Sequence, residues 1–155
     1  MNCTVSYPCV EELIPHRGEM ILIDSVQNDD AEHLHARARV RRDAWYADND
    51  GNMPAWVGIE LMAQAIAAYV GLFRWRQGKP IKMGFLLGAR KYSCAVPMFP
   101  ADAVLDIKIS LMYREPGGLG AFGCTISVQE RQLAEATVKV FEPDDPEQFM
   151  REERP

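Results

Sequence analysis

The sequence predicts an α+β fold in which one long helix packs against an antiparallel sheet. Three observations predict this fold class: two strand-like stretches precede the helix, four follow it, and short turn signals separate the strands. Strands that are joined by short turns pair antiparallel. One apolar helix and a sheet of this kind bury their hydrophobic faces by forming two layers.

Two different patterns predict the strands before the helix. Residues 20–27 form a short apolar run that ends in the turn sequence at 28–30, after an irregular lead-in over residues 1–19. Residues 32–41 alternate between apolar side chains on one face and His or Arg side chains on the other, as in a strand with one buried face. The apolar members are Leu34, Ala36, Ala38 and Val40.

The helix is predicted from Pro54 to about Gln77, because almost every side chain up to Leu72 is apolar. Only Glu60 and Gln64 are strongly polar in that stretch. A helix that is apolar on all sides is buried. One sheet face cannot cover it, so either the sheet wraps around it or a second copy of the chain covers its far side. A homodimer is the simplest solution.

Four further strands are predicted at residues 81–96, 103–113, 119–129 and 132–141. The second of them alternates clearly, and the sequence Pro-Gly-Gly after it marks a hairpin turn. We expect a single domain over residues 1–142. Beyond it, residues 143–155 are rich in charge and proline and have no apolar period, which predicts a polar, disordered tail.

Composition argues against several functional classes. The net charge of -5, from 17 Lys and Arg against 22 Asp and Glu, argues against a general nucleic-acid-binding protein. No long apolar run lacks a charge, so no membrane span is predicted. The N-terminus has neither region of a secretion signal, so we expect a cytoplasmic protein. No zinc, nucleotide or nicotinamide motif is present, so no metal or cofactor is expected. The cysteines should then be free thiols; they are Cys3, Cys9, Cys94 and Cys124.

Three segments resemble one family, the bacterial β-hydroxyacyl–acyl-carrier-protein dehydratases. Residues 14–24, Ile-Pro-His-Arg-Gly-Glu-Met-Ile-Leu-Ile-Asp, resemble the lead-in to the family's first strand. Residues 53–64, Met-Pro-Ala-Trp-Val-Gly-Ile-Glu-Leu-Met-Ala-Gln, resemble the start of its central helix. Residues 84–91, Gly-Phe-Leu-Leu-Gly-Ala-Arg-Lys, fall where the family has the strand that follows. The resemblance covers residues 10–141. Within the family, the chain is similar to a divergent branch, the dehydratase subunits of aryl-polyene gene clusters.

The resemblance implies a hotdog fold, in which an antiparallel sheet wraps around one central helix. It also implies an activity, the dehydration of a 3-hydroxyacyl thioester to a trans-2-enoyl thioester in fatty-acid-like or aryl-polyene biosynthesis, without a cofactor. The implied partner is an acyl carrier protein that carries the acyl chain on phosphopantetheine. The implied assembly is a homodimer or a heterodimer with a related hotdog subunit.

The chain departs from the family just before the helix. The sequence Asp-Gly-Asn-Met-Pro-Ala-Trp at 50–56 replaces the His-Phe-x-Gly-x-Pro of the fatty-acid enzymes, and no histidine lies near 46–48, where the family has its catalytic one. Ala55 replaces the family glycine whose N–H serves the oxyanion, although a backbone N–H remains. From this alignment we expect substrate contacts at Ala55, Trp56, Gln64, Asp48 and Gly88.

The chemistry needs one group to take the α-proton and one to protonate the departing hydroxyl. Burial of Glu60 should raise its pKa and suit it as the acid, with Gln64 one turn away to orient it; a capping or dimer salt-bridge role is the alternative. His16 is the first candidate for the base, and a structural histidine is its alternative. The next candidates for the base are His35, on the polar face of a strand, and Asp48, in a turn.

Two rival functions and two docking surfaces remain open. A hotdog thioesterase would use Asp48 to activate water, and a catalytically weak subunit would support an active dehydratase partner. Docking of an acidic carrier protein would need a basic cluster. The candidates are Arg37, Arg39 and Arg41 on one strand face, or Arg74, Arg76 and Lys79 at the helix end, with solvated charge as the alternative for both.

Overall fold

The computed structural model describes residues 6–143, apart from the side chain of Phe85. Eight strands and one long helix follow two short 3-10 turns at Val10–Glu12 and Gly18–Met20. The strands are β1 (Ser25–Asp29), β2 (His33–Arg39), β3 (Met53–Pro54), β4 (Phe85–Cys94), β5 (Met98–Phe99), β6 (Val104–Arg114), β7 (Leu119–Val128) and β8 (Arg131–Phe141), and the helix is α1 (Val57–Arg76).

Six strands form one antiparallel sheet in the order β1-β2-β6-β7-β8-β4, and the sheet wraps around α1. The helix contacts β2, β6, β7, β8 and β4. The predicted alternation in the second strand is confirmed, because its four apolar members are buried on the helix side. The α+β architecture with one central helix is therefore confirmed.

The first strand begins later than the sequence predicts. Residues 20–27 were expected to be extended and paired, but β1 starts at Ser25 and runs into the predicted turn, to Asp29. The reason is a side chain: Gln64 of α1 accepts hydrogen bonds from the N–H groups of Leu22 and Ile23, at 2.8 and 3.3 Å. Their N–H groups are therefore satisfied without a strand partner.

The helix also begins later than predicted. Pro54 lies in the two-residue strand β3, which pairs with β5 and places Met53 opposite Phe99. Neither short strand was predicted, because two residues are too few to show a period. The four long strands β4, β6, β7 and β8 lie where the sequence predicts them.

By length and hydropathy alone, α1 is long and apolar enough to cross a membrane. It has 20 residues, and its most apolar window has a mean hydropathy of 1.3. Most of that window, 61%, is buried inside the chain, however. We therefore assign α1 as the core helix that the sheet encloses.

Three of the four cysteines lie in the described part of the chain, and the prediction of free thiols is confirmed for them. Cys9 is exposed, Cys94 is half-buried and Cys124 is buried, where desolvation raises the pKa of its thiol to about 12. Cys3 lies outside the described residues. The predicted tail does too, except for its first residue.

Candidate functional site

The N-terminal lead-in crosses α1 and carries His16 to Glu60. Leu13 and Ile14 are fully buried, and their backbone lies so close to α1 that a Cβ on Gly71 would be 1.8 Å from the Leu13 carbonyl oxygen. Just beyond this contact, Nε2 of His16 lies 3.2 Å from Oε1 of Glu60. The two side chains that the sequence selected for catalysis are thus in contact within one chain.

Gln64 fixes the position of Glu60, as predicted. Its Nε2 donates to Oε1 of Glu60 at 3.1 Å and to the carbonyl of Met20 at 2.6 Å. Its Oε1 accepts the two backbone N–H groups of the lead-in described above. A fully buried amide with this many partners has one orientation. It therefore ties the lead-in, α1 and the Glu60 carboxylate into one network.

Glu60 is ionised near neutral pH, contrary to the expectation that burial raises its pKa. Desolvation does act to raise the pKa of this carboxyl, but hydrogen bonds from His16 and Gln64 and the charge of His16 together bring it below its ordinary value. An ionised carboxylate has no proton to give. Glu60 therefore does not fit the general-acid role that we predicted for it.

The two ring nitrogens of His16 have different surroundings. A carboxylate only accepts hydrogen bonds, so the Nε2 that contacts Glu60 carries a proton. Nδ1 is buried and has no hydrogen-bond partner among residues 6–143. In the neutral ring Nδ1 is then the nitrogen with the free lone pair, and this is the atom that can accept a proton.

An apolar cavity of about 90 Å³ runs along α1 from this pair. The helix lines it with Glu60, Ala63, Ile66, Ala67 and Val70. Glu60 and Val70 are ten residues apart, so the cavity follows the helix for about 15 Å at 1.5 Å per residue. His16 and Glu60 lie at one end. Gly84 before β4, Leu86 of β4 and Val140 of β8 line the other end of the cavity. The cavity therefore has the length and polarity for an acyl chain.

The structure rules out the oxyanion role that we predicted for Ala55. Its N–H already donates to the carbonyl of Pro97 at 3.0 Å, next to the β3–β5 pair. Its carbonyl accepts the hydroxyl of Tyr92. Trp56 is 62% exposed at the helix start, and its ring is tilted against that of Trp45 with the centroids 6.4 Å apart.

Three other predicted residues do not line the cavity. Asp48 caps the turn before β3, accepting the N–H groups of Asp50 and Asn52 at 2.9 and 2.8 Å; these bonds, led by that of Asn52, lower the pKa of its carboxyl. His35 lies on the sheet face opposite α1 and contacts Asp106 at 2.6 Å. Gly88 is exposed on β4, whereas Gly84 and Leu86 line the cavity instead. Asp48 and His35 therefore do not lie where a base for a ligand in this cavity would have to be.

Sequence reasoning missed two charged residues at the far end of the cavity, Lys82 and Glu142. Glu142 follows β8 and is only 8% exposed. Desolvation raises the pKa of its carboxyl despite the nearby charges of Arg114, Lys82 and Arg74. It went unnoticed because it stands where the charged tail begins. A carboxylate one residue after a strand with buried alternate positions was the available signal.

Tyr92 was missed as well, although it directly follows the segment 84–91 quoted for the family resemblance. Its hydroxyl bonds the Ala55 carbonyl, and Gly58 leaves room for it, since a Cβ there would lie 2.4 Å from that oxygen. The phenol is half-buried, and desolvation leads the causes that raise its pKa. Tyr92 therefore holds the first turn of α1 in place.

The predicted basic clusters are largely paired. Arg37 contacts Asp106 at 2.9 Å, Arg39 contacts Asp102 at 3.6 Å and Arg41 contacts Asp24 at 2.9 Å. At the helix end Arg76 contacts Asp29 at 2.6 Å. The strand cluster therefore presents less positive charge than its sequence suggests.

The lowered pKa of Glu60 predicts that its contribution to stability is lost in acid. A carboxyl whose pKa is lower in the folded than in the unfolded chain stabilises the fold above the unfolded value of about 4.5, and this contribution disappears as the pH falls through the folded value. We expect the difference in free energy of unfolding between wild type and Glu60→Gln to become smaller as the pH falls through the folded pKa of Glu60. Denaturant unfolding followed by circular dichroism at several pH values measures it.

Glu142→Gln provides the opposite comparison. The pKa of Glu142 is raised, so its ionisation costs stability and that cost is relieved as the pH falls through the folded value. The wild type should therefore gain stability relative to Glu142→Gln in acid. A Glu60→Gln difference that widens in acid would show that Glu60 is not held ionised.

Comparison with known proteins identifies the family and the fold of the chain. The model of the ApeP-like family, the ApeP dehydratases, matches residues 8–151. The dehydratase heterocomplex ApeI:P from Xenorhabdus doucetiae contains a chain that is 31% identical; the match covers 96% of this chain and 100% of that chain, with a TM-score of 0.89. No curated protein matches the chain.

More distant structures share the fold alone. A hypothetical thioesterase protein with coenzyme A from Streptococcus pneumoniae TIGR4 is 18% identical over 76% of this chain and 84% of that one, with a TM-score of 0.57. The PaaI protein from the phenylacetic acid degradation operon of E. coli is 12% identical over 75% and 80%, also with a TM-score of 0.57. The hotdog fold and the resemblance to aryl-polyene dehydratases are confirmed, and the chain belongs to the ApeP-like family of dehydratases.

Proposed function

We propose that the chain dehydrates a 3-hydroxyacyl thioester, presented by an acyl carrier protein, to a trans-2-enoyl thioester. One observation carries the proposal: His16 contacts Glu60 at one end of an apolar cavity that runs along α1. This arrangement places a group that can move a proton beside space for an acyl chain. Elimination of water from such a substrate consists of proton movements at adjacent carbons.

In this mechanism His16 is the base and Glu60 is its positioning residue. The carboxylate holds the Nε2–H tautomer of the ring, which leaves the lone pair on Nδ1 to accept the α-proton once the entering acyl chain displaces the groups that bury this atom. It also stabilises the imidazolium that forms, as the buried carboxylate does in a Ser-His-Asp triad. The two predicted residues thus keep their importance, but the role of Glu60 changes from acid to partner of the base.

The same imidazolium then supplies the proton for the leaving group. The Cα–H bond breaks and its proton goes to Nδ1, while its electron pair forms the Cα=Cβ bond. The Cβ–O bond breaks, and the hydroxyl takes the proton back from Nδ1 and departs as water. His16 ends the cycle neutral. A single histidine therefore suffices for both proton transfers, and the histidine that the chain lacks before the helix is not required.

The thioester oxygen needs donors other than Ala55. The N–H groups of Trp56 and Val57 have no acceptor within residues 6–143, as is usual for the first residues of a helix. They lie one turn before Glu60 and point out of the positive end of the α1 dipole. They are the helix N–H groups nearest in sequence to Glu60 that could serve the thioester carbonyl, whose charge grows as the α-proton leaves, although neither residue lines the cavity.

We further propose that the chain assembles with a related hotdog subunit along β4. This strand is an edge of the sheet, and Leu86 and Leu87 are 45% and 54% exposed on it. An edge strand with exposed apolar side chains pairs readily with another chain. The ApeI:P structure is described as a heterocomplex, which favours a different subunit over a second copy as the partner.

Sedimentation and a dehydration assay test the assembly and the function together. We expect the chain with a related hotdog subunit to sediment as a dimer and to convert 3-hydroxyacyl thioesters to enoyl thioesters, measured by the ultraviolet absorbance of the product. Crotonyl-thioester hydration gives the reverse rate. A mixture in which this chain stays at 17.5 kDa would contradict the assembly.

The same assay separates the rival functions. Release of free thiol in place of enoyl product would indicate a thioesterase, for which Asp48 is now a poor candidate because it caps a turn. The missing histidine before the helix favours a second candidate, a catalytically weak subunit that supports its partner. That candidate is correct if dehydration needs the partner and continues unchanged in His16→Ala.

A further inference from the structure

The far end of the cavity is polar, unlike its walls. Glu142 lines it and is 8% exposed, while the walls beside it include Val70, Leu86 and Val140. Gly84 allows this placement, because a Cβ there would approach Cγ of Glu142 to 3.2 Å. The carboxyl thus occupies space that a larger residue at position 84 would take from it.

The ion pair with Arg114 offsets only part of the desolvation cost of burying Glu142. Oε2 accepts a hydrogen bond from Nη2 of Arg114 at the long distance of 3.4 Å. Desolvation raises the pKa of the carboxyl in spite of three nearby cations. A carboxyl group has about four lone-pair sites, so it can accept further hydrogen bonds. Arg114 and Lys82 lie beside the carboxyl, and a hydrogen-bond donor on the ligand would stabilise the buried group further.

We propose that Glu142 is a specificity-determining residue that binds a hydrogen-bond-donating group, a hydroxyl above all, at the far end of the acyl chain. The inference rests on the proposed function in one respect, that the ligand of this cavity is an acyl chain. The reacting carbons lie at His16 and Glu60, about 15 Å before Val70 along the helix. Glu142 therefore meets the end of the chain that does not react.

The test is a binding measurement with ligands that cannot be dehydrated. Decanoyl and ω-hydroxydecanoyl pantetheine thioesters are titrated calorimetrically into the wild type, Glu142→Gln and Glu142→Leu, in the assembly that is active. We expect the wild type to bind the hydroxylated thioester about 10-fold more tightly, because only the terminal hydroxyl can donate a further hydrogen bond to the buried carboxyl. Glu142→Gln keeps an acceptor and should keep part of the preference, whereas Glu142→Leu should lose or invert it.

Glu115→Leu is the matched control, since Glu115 is an exposed carboxylate near the same end of the cavity. It should leave the preference unchanged. Equal affinity of the wild type for both thioesters would overturn the inference, whether or not Glu142→Leu folds, and so would failure of both to bind. A preserved preference in Glu142→Leu would overturn it too. Absence of dehydration with the binding preference intact would instead count against the proposed function alone.

Discussion

His16→Ala is expected to lower kcat/KM for dehydration by about 100-fold to 10,000-fold, the range that a general acid–base group supplies. The loss should be large because one imidazole makes both proton transfers in the mechanism above. The side chain is partly exposed and, within residues 6–143, makes its one polar contact with Glu60, so folding should survive. Steady-state rates of enoyl-thioester formation measure the effect, and unfolding curves check the fold.

His33→Ala is the matched control. His33 is an exposed histidine that contacts Asp30 at 2.8 Å, away from the cavity, so its removal should leave the rate unchanged. A His16→Ala variant with the wild-type rate would remove the proposed base.

Glu60→Gln separates the two roles considered for Glu60. If Glu60 acts through His16, the single variant should be strongly impaired, but Glu60→Gln should add little loss in a His16→Ala background. If Glu60 were an independent acid, the two losses would multiply. Steady-state rates of the wild type, the two single variants and the double variant measure this coupling.

This change of role marks where sequence reasoning reached its limit. Glu60 and Gln64 were found because they are isolated polar residues one turn apart in an apolar helix, and His16 because the chain has only three histidines. The contact between His16 and Glu60 was not predicted. The sign of the pKa shift at Glu60 did not follow. It depends on whether hydrogen bonds outweigh desolvation, and the two donors come from an irregular lead-in and from the next turn of α1.

The errors at the helix start have a related cause. Ala55 was considered for an oxyanion role because it stands where the family has the glycine that serves the oxyanion, but its N–H donates to the carbonyl of Pro97, far along the chain. The first predicted strand was too long because one side chain, Gln64, replaces the sheet as hydrogen-bond acceptor. Periodicity reports which face of an element is buried. It does not report which long-range partner satisfies a given N–H group.

Gly71→Ala is expected to destabilise the chain by about 3 kcal/mol or more, at the upper end of the usual cost of overpacking. The added Cβ would lie 1.8 Å from the Leu13 carbonyl oxygen and 2.7 Å from its carbon, and backbone atoms cannot move aside by a rotamer change. Either α1 or the lead-in must shift. Native stabilities are typically 5–15 kcal/mol, so such a loss is readily measured by denaturant unfolding.

The lead-in is the element that we expect to move, because the short 3-10 turn Val10–Glu12, the buried side chains after it and the hydrogen bonds of Gln64 anchor it to α1, whereas five strands of the main sheet pack against the helix. His16 follows Leu13 by three residues, so a displaced lead-in would separate His16 from Glu60 and reduce activity toward that of His16→Ala. Gly123→Ala is the control, since nothing lies within 4 Å of a Cβ there. Hydrogen exchange should then show faster exchange in the lead-in than in α1. Wild-type stability and activity in Gly71→Ala would mean that the lead-in does not pack on the helix as described, and the contact between His16 and Glu60 would lose its structural basis.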